Sequence, residues 1–278
     1  MNTNIQLYHE TSLKCSKLAT NAYSSSFSLG IYLLDLTLHE AIYAIYGFVR
    51  FADEIVDTFH DYDKASLLDE FKADTYKAIE SKLSLNPILN SFQWVVNEYG
   101  IEYELIDCFL DSMTMDLEQK DHNNESFKRY ILGSAEVVGL MCLRVFCKND
   151  VALYDRLKEP AMKLGSAFQK INFLRDLKAD FEGMGRTYFP NLDLNNFTDE
   201  VKVSLEKDIQ ADFDAAYLGI KELPQTCRFG VYTAYSLYLR LFQKIKKIPA
   251  VELIKQRVRV SGLGKGLILM KAFMFLRQ

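Results

Sequence analysis

The chain reads as all-α: one domain over residues 1–278, a single large helical bundle around a central apolar cavity. Three observations predict the helices. Breakers are scarce, with 13 Gly and 5 Pro in 278 residues, so long runs are free to coil. Apolar residues recur at helical rather than alternating spacing. In two of the runs, oxygen-bearing side chains fall on one narrow stripe of an otherwise apolar helix. No repeat of roughly 20–50 residues suggests a solenoid.

Taken in order, residues 5–21 form a first helix that ends at the serine cluster Ser24–Ser28. Thr37, with Glu40 three residues later, fits a capping box for a helix that runs to about His60. Asp61-Tyr62-Asp63 punctuates, and a helix over 64–82 follows. Asn86-Pro87 breaks and restarts the chain, and Gly100 divides helices at 88–99 and 101–119. Met113, Met115 and Leu117 interleave with Asp111 and Asp116, a pattern of gap-filling core. Gln119–Asn124 is a polar loop, and 126–146 a helix whose small residues Gly133, Ser134, Ala135 and Gly139 admit either close helix packing or a long ligand. Glu136 stands among them as a polar contact or a solvent-facing residue. Pro160 fits the first turn of the next long helix. The stretch Glu182–Asn191 is a loop, placed to close over a site with Arg186 and Tyr188 as its contacts. Helices at 198–221 and 226–247 are split at Pro224. The apolar tail 266–277 is a last core helix or an interfacial one.

Composition bounds the function. Lys and Arg number 33 against 37 Asp and Glu, a net charge of −4, and no basic tract argues for nucleic acid. The start, Met1–Gln6, lacks a signal-peptide core. Five cysteines without a CxxC fit a reduced, cytoplasmic protein. No uninterrupted apolar run reaches about 18 residues, so no spanning helix is predicted, and contact with a membrane would be peripheral.

The run 43–57 carries the first stripe. At about 100° per residue, Tyr46, Arg50, Asp53 and Asp57 share a sector of about 60°. Ile42, Ile45, Phe48, Val49, Phe51 and Ile55 make the remaining surface apolar. Asp53 and Asp57 are neighbours at i,i+4, and like charges there repel, more so when buried. Arg50 compensates one charge; a divalent cation would compensate more. A solvated acidic face with an ordinary Arg–Asp pair is the structural alternative.

The second stripe lies in 165–180. Gln169, Asn172, Asp176 and Asp180 fall within about 80°, beside Arg175, while Leu164, Phe168, Ile171 and Leu174 form a separate apolar stripe. Hard cations such as Mg²⁺ take oxygen ligands and suit one or two carboxylates plus substrate phosphates. Two such helices facing each other would hold metal ions around a diphosphate. A di-iron bundle needs paired Glu-x-x-His motifs, and none occurs with His9, His39, His60 and His122.

Residues 44–57 and 169–180 resemble the two aspartate-rich motifs of the squalene/phytoene synthase family. Ser24–Ser28 is similar to the family's serine motif, 130–139 to its glycine-containing central helix, and Gly185–Pro190 to the segment after the second motif. The resemblance covers nearly the whole chain and is nearest to bacterial phytoene synthases. It implies the isoprenoid synthase-like fold and head-to-head condensation of two geranylgeranyl diphosphates through a cyclopropylcarbinyl diphosphate. Squalene or dehydrosqualene synthesis from farnesyl diphosphate is the near alternative, and a non-catalytic helical scaffold the distant one. By the resemblance, Asp53, Asp57, Asn172 and Asp176 bind Mg²⁺ (or Mn²⁺), with Asp180 assisting. Tyr46, Arg50, Gln169, Arg175 and Tyr238 would contact diphosphate or substrate, and Tyr23, Ser24, Ser25 and Ser26 lie near it. Asp53, Asp57, Asp176, Asp180, Arg50 and Tyr46 are then the catalytic set. No NADPH is expected. Arg257–Lys265 resembles a basic segment of the family, but Gly262 and Gly264 stand where more basic residues are usual.

Overall fold

A computed structural model describes residues 3–118, 122–184 (side chains through 178), 188–190, 192, 196–255 and 257–259. Among them the regular structure is entirely helical. The order is α1 (Thr3–Tyr23), α2 (Ser25–Tyr32), α3 (Leu36–Asp57), α4 (Lys64–Ser81), α5 (Pro87–Tyr99), α6 (Tyr103–Glu118) and α7 (Asn124–Ile131). A π-helical turn (Leu132–Glu136) leads into α8 (Val137–Cys147), then α9 (Val151–Met184), α10 (Asp199–Glu222), α11 (Gln225–Ile245) and the short α12 (Ala250–Leu253).

Local chemistry sets most boundaries. The Ser24 hydroxyl accepts from the Phe27 N–H at 3.2 Å and so caps α2. Asn86 caps α5 with Pro87 in its first turn, and Gly100, at φ 62°, ends it in the left-handed region that a Cβ disfavours. Three expectations are corrected. The cap of α3 is Asp35, whose carboxylate accepts from the Thr37 N–H at 3.0 Å, and also from its hydroxyl. Thr37 is therefore inside the helix. Nor does Pro160 start a helix: α9 begins at Val151, where Asp150 accepts from the Leu153 N–H at 2.9 Å, and runs through the proline. A proline inside a helix loses one backbone bond and crowds the preceding turn. Here its ring packs on Gly219 of α10, where a Cβ would collide with it. The loop expected from residue 182 also starts late, since α9 continues to Met184.

The amino-terminal half packs around stacked phenylalanines. Phe48 of α3 lies 3.8 Å from Phe92 of α5 with rings 4° from parallel, and Phe71 and Phe109 close the cluster at 5.6 and 5.3 Å. Each such side chain contributes about 1.5–3 kcal/mol by leaving water. Helix α1 docks through small hydroxyls instead: Ser16 meets Ser91 at 2.6 Å, and a Cβ on Gly47 would meet Ser16. In the other half, α10 joins α9 through a satisfied polar seam. Asp212 accepts from Ser166 at 2.7 Å and from Lys170 at 2.7 Å, with Lys163 at 3.2 Å.

The small residues around the π turn serve packing first. A Cβ on Gly133 would strike the Cys108 carbonyl, and one on Gly165 the Ala135 carbonyl. Gly139, lying against the Ala161 carbonyl, and Gly165 do both jobs, since both also line the cavity. Glu136 is half-buried, which pushes its carboxyl up, and Lys163 opposes that rise. The helical run Asn124–Cys147 is long and apolar enough to cross a membrane by length and composition. Half of its apolar stretch is buried in the bundle, against α6 and α9. The apolar tail 266–277 lies outside the described residues.

Candidate active site

A cavity of about 610 Å³ runs between α2, α3, the π turn with α8, α9, α10 and α11. Its wall is apolar over most of its length, with Ile42, Ile45, Val138, Cys142, Leu164 and Phe168 among the lining side chains. One end is different. Tyr46, Arg50 and Asp53 of α3 and Gln169, Asn172 and Arg175 of α9 all line it, with Tyr238 of α11 and Arg257. The two stripes read from helical spacing therefore meet on one cavity.

On α3 the charges are poorly matched. Burial, then the neighbouring Asp57, pushes the Asp53 carboxyl well above its ordinary 3.8, and Arg50 only partly offsets this. Arg50 sits 4.0 Å from Asp53 but gives its hydrogen bond to Glu54, and its guanidinium lies 4.4 Å over the Tyr23 ring. Its buried Nε–H has no partner among the described residues. Tyr46 is buried enough that its phenol is pushed up to about 12, and its ring lies 5.5 Å from Phe27.

On α9 the charge of Asp176 is matched. Asp176 accepts from Arg175 at 2.5 Å and is reached by Arg257 Nε at 2.7 Å. Asn172 accepts from the Tyr238 hydroxyl at 3.4 Å and donates to Gln169 at 3.4 Å. The Tyr238 ring stacks on Phe168 at 3.9 Å, and burial pushes its phenol up.

Among the remaining sequence candidates, Tyr23, Ser24, Ser25 and Ser26 line the cavity. Tyr188 is not in the wall: it is buried, with its hydroxyl 3.2 Å from Asp116. Asp57 acts on the cavity through its charge on Asp53. The Asp180 side chain, Arg186 and residues 260–265 lie outside the described residues. Sequence reading passed over Asp116, Glu54 and Tyr130. Asp116 did carry a signal: with Phe109 and Met113 it sits at i, i+4, i+7, on the face that helical spacing buries. Arg257 was noted only within a doubtful basic segment, and its place on Asp176 is tertiary information.

Oxygen donors grouped at the mouth of an apolar pocket, on two long helices of an all-α bundle, define a protein of the isoprenoid synthase helical class. The crystal structure of a dehydrosqualene synthase in complex with ligand superposes with a TM-score of 0.81, covering 97% of this chain and 98% of its own at 21% identity. Residues 20–263 match the squalene/phytoene synthase family, and the chain belongs to that family of prenyltransferase-type enzymes, which act on prenyl diphosphates. Phytoene synthase 1 of Solanum lycopersicum is 25% identical over 262 residues, 87% of this chain and 63% of that protein, so this chain spans under two thirds of that relative's length. Phytoene synthase of Pseudescherichia vulneris is 28% identical over 248 residues, covering 80% of this chain and 79% of that one.

Proposed function

We propose that this chain condenses two geranylgeranyl diphosphates head to head into phytoene, through a cyclopropylcarbinyl diphosphate and with release of two diphosphates. The observation that carries the reading is the convergence of the α3 and α9 stripes on one end of a single apolar cavity. The donor set is all oxygen, and Arg50 only partly offsets the charge on Asp53 beside Asp57, so these residues fit a hard divalent cation. Asp53, Asp57, Asn172 and Asp176 would hold Mg²⁺, with Asp180 beside them. The metal would supply the positive charge that a departing diphosphate needs.

The chain's own residues supply the rest. Arg50, with a buried N–H to spare, and Arg175 present donors to phosphate oxygens, while Tyr238 gives its hydroxyl proton to Asn172 beside them. Phe27, Phe168 and Tyr238 place aromatic faces just below, where they stabilise a cation. The apolar wall beyond keeps water from the cation, which water would quench. Loss of a proton ends the sequence, so no NADPH is required.

The test is purified protein with Mg²⁺ and either geranylgeranyl or farnesyl diphosphate, with and without NADPH, products read by mass. A C40 hydrocarbon from the C20 substrate without NADPH is the expected result. A C30 product would replace the substrate and keep the reaction class. No product from folded protein would overturn the enzyme reading in favour of a helical scaffold.

A further inference from the structure

Asp116 lies outside both oxygen stripes, on α6, and is 4% exposed. A carboxylate so buried is costly unless its oxygens are filled. They are filled by two phenols. Oδ2 accepts from the Tyr130 hydroxyl at 2.7 Å and Oδ1 from the Tyr188 hydroxyl at 3.2 Å.

The surroundings hold this arrangement still. The buried His122 ring lies 5.2 Å from Tyr130 and 5.8 Å from Tyr188, and Phe173 stacks on Tyr188 at 4.1 Å with rings 7° from parallel. Helix α6 is locked to the π turn, because Gly133 packs directly on the Cys108 carbonyl and Ser112. Acid and phenol are thus registered by backbone contact.

The two phenols are not equivalent. Tyr130 lines the cavity and Tyr188 does not. Burial, then the charge of Asp116, pushes the Tyr130 phenol far up, with Asp53 adding to the rise, so it keeps its proton. A phenol that donates its one proton to a carboxylate has only acceptor lone pairs left to offer. The carboxylate behind it also polarises that oxygen. Without Asp116, the Tyr130 proton would be free to turn toward Asp53 or the diphosphate.

We propose that Asp116 is a positioning residue acting through Tyr130: it holds the Tyr130 hydroxyl proton away from the cavity, so that an oxygen lone pair faces the cationic carbon left when diphosphate departs. This rests on the prenyl-diphosphate reading above.

Five proteins test it: wild type, Asp116→Ala, Tyr130→Phe, the double variant and, as the rescue, Asp116→Asn, which keeps an acceptor. Steady-state rates and products are measured with Mg²⁺ and each prenyl diphosphate. Thermal melts report folding, and calorimetry with Mn²⁺ and inorganic diphosphate reports the oxygen stripes. Asp116→Ala and Tyr130→Phe should each lower kcat about 10- to 100-fold, with KM changed less than about twofold. The double variant should be no worse than either single one, and Asp116→Asn should recover part of the rate. Wild-type kcat in Asp116→Ala or Tyr130→Phe would overturn the proposal, as would effects that multiply. A parallel loss of Mn²⁺–diphosphate affinity would also overturn it, by assigning Asp116 to the metal stripe. If Asp116→Ala fails to fold, Tyr130→Phe, which removes one oxygen, decides alone. Wild type inactive on both diphosphates would sink the enzyme reading and this one together; wild type active with unaffected variants sinks this one only.

Discussion

The two aspartate helices look alike in sequence and differ in charge balance. On α3, Asp53 and Asp57 repel, and the nearby Arg50 is engaged by Glu54. On α9, Asp176 is clamped by Arg175 and Arg257. Among the described side chains, Asp53 is only partly balanced by Arg50, whereas Asp176 has two guanidinium partners. A cation arriving at α3 relieves repulsion; one arriving at Asp176 must compete with two guanidinium groups. Among the described side chains, Asp53 and Asp176 are thus unequally balanced.

The largest effect should fall on both halves alike. Asp53→Asn and Asp176→Asn should each lower turnover by about 10²–10³-fold or more while the far-ultraviolet dichroism stays helical. Near-wild-type turnover by either would remove that helix from the proposed metal site.

Stability without metal should then separate the halves. Asp53 lies in a site that disfavours its charge, and Arg50 keeps Glu54 when that charge goes. Asp53→Asn should therefore raise the metal-free Tm by a few degrees. Asp176→Asn removes an ion pair with Arg175 and one with Arg257 and should lower it. Equal shifts in a melting series would break the contrast drawn above.

The contrast has a pH signature. The folded-state Asp53 carboxyl is raised above its ordinary 3.8, so the folded chain binds that proton more tightly than the unfolded one. The stabilisation is fully present below pH 3.8 and is lost as pH rises through the folded value. In metal-free melts, wild type should lose stability over this window relative to Asp53→Asn. Divalent cations need the ionised form, so Mn²⁺–diphosphate affinity should rise over the same window in wild type. A flat difference between the two melting profiles would refute the assignment.

The smallest effect belongs to Arg257. Its side chain is 53% exposed, so Arg257→Ala should cost at most about 1 kcal/mol in stability. Its clearer mark should be a tighter Mn²⁺–diphosphate complex at the α9 half, or a weaker one if the guanidinium serves the phosphate more than it blocks the metal. Calorimetry distinguishes the two, and no change in either direction would remove Arg257 from the site.

Much of this was readable before any coordinates. Helical spacing alone put Tyr46, Arg50 and Asp53 on one face and Gln169, Asn172 and Asp176 on another, because a helix maps sequence to surface by a fixed angle. What spacing could not convey was partnership across elements. Nothing near residue 50 ranks Glu54 above Asp53 as the partner of Arg50, since i,i+3 and i,i+4 are both within reach. The role of Pro160 depends on Gly219, a residue on the next helix. Asp116 read as an ordinary interruption in a methionine-rich stretch, because its meaning lies in Tyr130 and Tyr188, far off in the chain.

Pro160 and the oxygen stripe share one helix, and Pro160, Gln169 and Asn172 line the cavity. At 1.5 Å per residue, Pro160 stands about 14 Å along the axis from Gln169 and about 24 Å from Asp176. The ruler and the reagent are therefore mounted on the same rod, at opposite ends. On the function proposed above, a change where Pro160 meets Gly219 should alter how much chain the pocket takes in and leave the phosphate end as it was. Such a layout lets substrate length drift independently of the chemistry, one side chain at a time.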